Sequence, residues 1–143
     1  MIFVKIYRYK EKALEIFPLQ EIQAIRKVLE EMRREGTVLL AYLYGSYAKG
    51  TQHPRSDIDI AVYFDTESED ESIEAIDRIL MATDRTIEIL LLNDPDESPF
   101  VIQEALKGIP LVEPDVETLY MLSDYVLHET ESVRYKRELV YET

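Results

Sequence analysis

The sequence predicts an α/β (α+β) domain: a short mixed β-sheet with helices packed on one face and an additional C-terminal helix. Three observations carry this reading. Apolar residues at helical spacing alternate with strand-length apolar runs. The chain has 143 residues, 46% of them hydrophobic, enough for one sizeable core. It contains no repeat, low-complexity tract or linker.

From the N-terminus, Met1 to Phe17 is ambiguous. Phe3, Lys5, Tyr7 and Tyr9 alternate as in a short strand, but the opposite parity is also partly apolar. Pro18 to Glu35 reads as a helix, with Ile22, Ile25, Leu29 and Met32 on one stripe and Gly36 as the stop. Thr37 to Tyr44 is a continuous apolar run of strand length ending at the turn signal Gly45-Ser46. Asp57 to Phe64 is a strand with Ile58, Ile60, Val62 and Phe64 on one face and Asp57 and Asp59 on the other. The acidic run Asp65 to Glu71 reads as a solvated loop. Within it Ser68 and Glu71 have capping-box spacing ahead of a helix bearing Ile73, Ile76, Ile79 and Leu80. Thr86 to Leu92 is a third strand, rich in β-branched residues and leucine. Asn93-Asp94-Pro95-Asp96 is a turn, and Ser98-Pro99 opens a helix that Gly108 and Pro110 close. Leu111-Val112 suggests one more short strand, and Pro114-Asp115 leads into a last helix over about 115–139. The whole reads as one domain, 1–143, with its core at about 18–112.

Composition narrows the function. With 29 acidic against 16 basic residues the formal net charge is −13. Non-specific nucleic-acid binding rests on Lys and Arg, so a long nucleic acid is a poor partner for this surface, whereas a basic protein suits it. The absence of cysteine excludes disulfides and thiolate metal sites. No apolar run reaches the roughly 20 residues that span a bilayer, and the N-terminus lacks the pattern of a signal peptide. The expectation is a cytoplasmic protein.

The chemistry concentrates between Gly45 and Asp59. A glycine at the end of a buried strand lets the backbone turn sharply and approach a ligand. A helix beginning near Ser46 would offer its free N–H groups to a phosphate, with the serine hydroxyl as a further donor. After ten intervening residues come Asp57 and Asp59. On a strand their i, i+2 spacing puts both carboxylates on one face, about 6.5–7 Å apart along the chain. Such a pair repels itself unless a cation intervenes, and hard oxygen ligands suit magnesium. Glu88, inside the apolar strand Thr86-Ile87-Glu88-Ile89-Leu90, is the candidate third carboxylate, as a metal ligand or as the base for an attacking hydroxyl. Lys49 and Arg55 flank the cradle. Each either touches a triphosphate or is simply solvated. Leu90 and Leu92 share the face of Glu88 and call for cover by the last helix or by a partner.

Gly-Ser, ten residues, then Asp-x-Asp resembles the signature of the DNA polymerase β-like nucleotidyltransferase superfamily. The small size, the stretch Ser56-Asp57-Ile58-Asp59-Ile60-Ala61-Val62, and Leu92-Asn93 with Gly108-Ile109-Pro110-Leu111-Val112 resemble its minimal nucleotidyltransferase (MNT) branch over roughly Pro18 to Val112. The resemblance implies that Gly45 and Ser46 hold triphosphate oxygens, with Lys49, Arg55 and Ser56 grouped as nucleotide-binding candidates. It implies that Asp57 and Asp59, with Glu88 where the family usually has aspartate, form the catalytic, magnesium-binding set. Many members of that branch are antitoxins encoded beside a HEPN-domain ribonuclease toxin. The implied function is therefore magnesium-dependent transfer of AMP from ATP to a protein hydroxyl, commonly a tyrosine, of such a toxin. Two other readings stand beside it: a binding module that neutralises a basic partner by occlusion, and nucleotidyl transfer to a small molecule such as an aminoglycoside.

Overall fold

The structure, a computed structural model, describes residues 19–142. The ambiguous segment Met1 to Phe17 lies outside them. The element order is α1 (Gln20–Glu35), β1 (Val38–Tyr44), α2 (Gly45–Lys49), β2 (Ile58–Phe64), α3 (Glu69–Leu80), β3 (Ile87–Leu91), α4 (Pro99–Leu106), β4 (Ile109–Pro110) and α5 (Val116–Glu142). The four strands form one sheet in the order β3-β2-β1-β4. β1 runs antiparallel to β2 and β4, and β2 runs parallel to β3, so the sheet is mixed, as the sequence implies.

The helix signals work as the chemistry predicts. Ile22, Ile25, Leu29 and Met32 are the buried stripe of α1. Gly36, at φ 83°, ends it in the left-handed conformation, donating to the Arg33 carbonyl while Thr37 N–H reaches back to Met32. Ser68 caps α3 by accepting from Glu71 N–H at 3.2 Å, and the Glu71 carboxylate accepts in turn from Glu67 N–H at 3.0 Å. The buried line of α3 is Ala75 and Ile79, while Ile73 is half exposed. Arg78 of α3 bridges to Glu35 and Glu31 of α1 at 2.8 and 3.3 Å, holding the two helices side by side at the surface.

The expectation of helices on one face is corrected by the structure, because both faces of the sheet are covered. Ala41, Leu43, Ile58, Ile60 and Val62 pack under α1 and α3. Leu40, Tyr42, Ala61, Leu90 and Leu92 pack under Ile102 and Ala105 of α4 and Leu122 and Val126 of α5. The reason lies in β1, whose residues from Leu40 to Leu43 are all buried: a strand apolar at both parities needs cover on both sides. A register shift between Val38 and Leu40 also turns these two residues to opposite layers.

The last strand falls on Ile109–Pro110 rather than on Leu111-Val112. Gly108 explains the early docking. It lies against the Leu43 carbonyl, where an added Cβ would also come within 3.0 Å of the Ala105 carbonyl oxygen. The chain therefore meets β1 as soon as α4 ends, and Leu111 N–H still donates to Ala41 at 2.8 Å. Asp115 caps α5 through the N–H and hydroxyl of Thr118. The helix runs past its last packed turn at Thr130 to Glu142. Among the described residues no helix is long and apolar enough to cross a membrane.

Ile102 is fully buried between the sheet and α5. Ile102→Ala should cost about 2–5 kcal/mol of unfolding free energy, measured by urea denaturation.

Candidate active site

The sheet register builds the site. Tyr44 on β1 pairs with Asp59 on β2, and Asp59 pairs with Glu88 on β3. In-register neighbours point to the same side of a sheet, so Tyr44, Asp59 and Glu88 form one row on the face that α4 and α5 cover further along. The row stands where β1 passes into α2, and α2 starts at Gly45 with no side chain capping its first turn. Its leading N–H groups are therefore open to an anionic ligand.

Gly45 joins the two halves of the motif. Its φ is +71°, in the region that favours glycine. A Cβ there would run into the Asp59 carboxylate, meeting Oδ2 inside van der Waals contact and Cγ at 3.2 Å. Asp59 is thus packed directly against the backbone from which α2 begins.

Electrostatics mark the same spot. The Asp59 carboxyl is pushed up to about 6, first by burial, then by a side-chain hydrogen bond with Glu88 and by the charges of Glu88 and Asp57. Tyr44 is also raised, by burial and then by Asp59, Glu88 and Glu97. A buried carboxyl crowded by neighbouring carboxylates belongs to a donor set that a divalent cation would relieve, and oxygen-only ligands are the chemistry magnesium takes. Among the described residues no three His, Cys, Asp or Glu side chains are grouped so that they could hold a metal ion by themselves. A pair of in-register carboxylates with Asp57 beside it fits an ion that completes its shell with phosphate oxygens and water.

The remaining candidates divide. Asp57 precedes β2 by one residue and is exposed. Ser46 lies in the first turn of α2, next to the row. The Ser56 hydroxyl accepts from His53 N–H at 2.9 Å, bracing the loop ahead of β2. Lys49 is exposed at the far end of α2, and Arg55 is exposed in the loop, so neither joins the carboxylate row. Sequence reasoning missed Arg85. Its guanidinium donates to the Pro54 carbonyl, to the Ser56 carbonyl at 2.7 Å and to the Tyr47 hydroxyl at 3.1 Å. The available signal was a lone arginine immediately ahead of the strand that carries Glu88.

Two outcomes follow from this geometry. A raised carboxyl pKa means the folded protein binds the extra proton, so the contribution of Asp59 to metal-free stability is fullest below about pH 4 and is lost as pH rises through about 6. In EDTA at neutral pH, Asp59→Asn should therefore melt above the unsubstituted protein, by on the order of a few °C, and the gap should close near pH 4. Gly45→Ala should cost about 1–2 kcal/mol from the left-handed backbone alone, with a further loss from displacing Asp59, read by chemical denaturation.

The wider comparisons agree with this architecture. A family model described as "Polymerase beta, Nucleotidyltransferase" matches residues 23–117. The chain resembles one in a toxin–antitoxin crystal structure with AMP-PNP, at 26% identity and a TM-score of 0.62, over 87% of this chain and 97% of that one. It also resembles, at the level of fold, a chain in the complex of a tri-AMPylated Shewanella oneidensis HEPN toxin with its MNT antitoxin, at 19% identity and a TM-score of 0.57, over 85% and 96%. A chain of the MntA-HepT toxin–antitoxin structure matches at 19% identity and a TM-score of 0.57, over 84% and 95%. No curated protein sequence matches. The family match spans the carboxylate row, the Gly45-Ser46 turn and the sheet that aligns them, and the chain belongs to the polymerase β nucleotidyltransferase family.

Proposed function

We propose that this chain is the antitoxin of a HEPN-type toxin and transfers AMP from ATP to a hydroxyl of that toxin, in the cytoplasm and with magnesium. The observation that carries the reading is the in-register pair Asp59–Glu88 packed against Gly45 at the start of α2. The likeness to chains of toxin–antitoxin complexes, one of them with AMP-PNP, supports the choice of nucleotide and partner. The formal charge of −13 suits a basic partner and disfavours a polynucleotide template.

In this scheme Gly45, Ser46 and the opening N–H groups of α2 receive the triphosphate. Asp57, Asp59 and Glu88 would hold magnesium, which when bound neutralises phosphate charge and orients the phosphates. The acceptor oxygen attacks the α-phosphorus, the new O–P bond replaces the bond to the β-phosphate, and pyrophosphate departs. Glu88, the exposed end of the row, takes the hydroxyl proton. Catalysis then comes from positioning and charge neutralisation, since phosphoryl chemistry asks little covalent work of the protein.

The test is to incubate the chain with labelled ATP, magnesium and the HEPN toxin encoded beside it. Label should appear covalently on the toxin, and Asp57→Asn should reduce its appearance at least about 100-fold while the circular dichroism spectrum stays unchanged. A tight unlabelled complex would instead establish neutralisation by occlusion.

A further inference from the structure

The loop between α2 and β2 carries Asp57 at its end, yet its own bonds mainly hold it to itself. Ser56 N–H donates to the His53 carbonyl at 2.9 Å, His53 N–H to the Ser56 hydroxyl at 2.9 Å, and Arg55 N–H to His53 Nδ1 at 3.2 Å. Thr51 N–H ties the start of the loop to the Ser46 carbonyl at 2.9 Å. Arg85 reaches the far end. It lies two residues ahead of β3 and donates to the carbonyls of Pro54 and Ser56. The same guanidinium donates to the hydroxyl of Tyr47, a core residue only 2% exposed on α2. One side chain thus joins the helix that follows Gly45, the backbone adjoining Asp57 and the segment leading to Glu88.

We propose that Arg85 is a positioning residue whose guanidinium fixes the backbone bearing Asp57 relative to Asp59 and Glu88, and so sets the affinity of these carboxylates for a divalent cation. The inference rests on the nucleotidyl-transfer reading for the identity of the ligands. Arginine is the residue the geometry requires. A planar fork satisfies acceptors lying in different directions at once, whereas the single ammonium of lysine reaches fewer of them. Where a supporting partner of a metal ligand is lost, affinity typically falls 10–100-fold.

The test compares the full chain with Arg85→Met, Arg85→Lys and Tyr47→Phe, using Mn2+ alone as probe and paramagnetic resonance to count free ion. Arg85→Met should weaken Mn2+ binding about 10–100-fold, with Arg85→Lys intermediate and Tyr47→Phe, which removes one acceptor only, least affected. Amide hydrogen exchange should quicken over 55–57 and remain unchanged in the strands. Excess Mg2+ should restore transfer activity to the variants, which a general loss of folding would not permit. If Arg85→Met does not fold, Arg85→Lys decides. Mn2+ affinity within about twofold of the unsubstituted protein in the folded variant overturns the role of Arg85. An unsubstituted chain that binds Mn2+ but labels no toxin overturns the transfer reading alone, because the affinity comparison still judges Arg85.

Discussion

Two carboxyl groups are held in register on adjacent parallel strands, and much of the structure serves to keep them there. Asp59 and Glu88 are opposite one another because β2 and β3 pair as they do, and Gly45 leaves the space into which Asp59 fits. Left to themselves these groups repel, and the raised pKa of Asp59 reflects first its burial and then the hydrogen bond and charge of Glu88 beside it. On the proposed reading, a fold that holds such a pair together gains affinity for a cation at the expense of stability in the cation's absence.

The stability that offsets this cost comes from the middle of the sheet. β1 and β2 are buried on both sides, with α1 and α3 on one layer and α4 and α5 on the other. The second layer has a particular consequence for the site. The face that carries Tyr44, Asp59 and Glu88 becomes apolar further along, at Tyr42, Ala61 and Leu90, where α4 and α5 close over it. Covering that part excludes water from one side of the carboxylate row, while Glu88 and Asp57 remain open to solvent. Burial is accordingly the largest cause of the shift at Asp59. The cover these helices give the sheet thus ends beside its polar end, where Asp59 packs against Gly45.

Much of this was legible in the sequence because it depends on local rules. Period-two alternation in Ile58-Asp59-Ile60 put the carboxylates on one face, and the opposite parity of Ile87 and Ile89 put Glu88 on that face too, as the register shows. Gly36, Ser68 and Ser98-Pro99 gave helix ends within a residue or two for the same reason: capping chemistry is read from a few neighbours. What was not legible depended on contacts distant in sequence. Cover of the second face was only half legible: Leu90 and Leu92 called for the last helix or a partner, but that α4 joins α5 there depends on both parities of β1. The place of β4 depended on Gly108 approaching the Leu43 carbonyl, 65 residues away in the chain. Arg85 looked like any surface arginine, because its acceptors are two backbone carbonyls and a tyrosine hydroxyl that no local pattern brings near it.

The charge distribution bears on how an acidic protein can work on a polyanion such as ATP. A net charge of −13 repels a triphosphate at long range, but screening at physiological ionic strength limits that effect to roughly 8 Å. At contact, local groups decide: the uncapped N–H groups at the start of α2 are positive, and a bound divalent cation would neutralise most of the charge of the carboxylates. Free ATP, carrying its own magnesium, brings part of that compensation with it. A polynucleotide would have to lay many phosphates along the acidic surface without such help. The same surface that discourages a long nucleic acid therefore leaves the single-nucleotide site usable and favours an acceptor of opposite charge, which is the arrangement a nucleotidyltransferase directed at a basic protein requires.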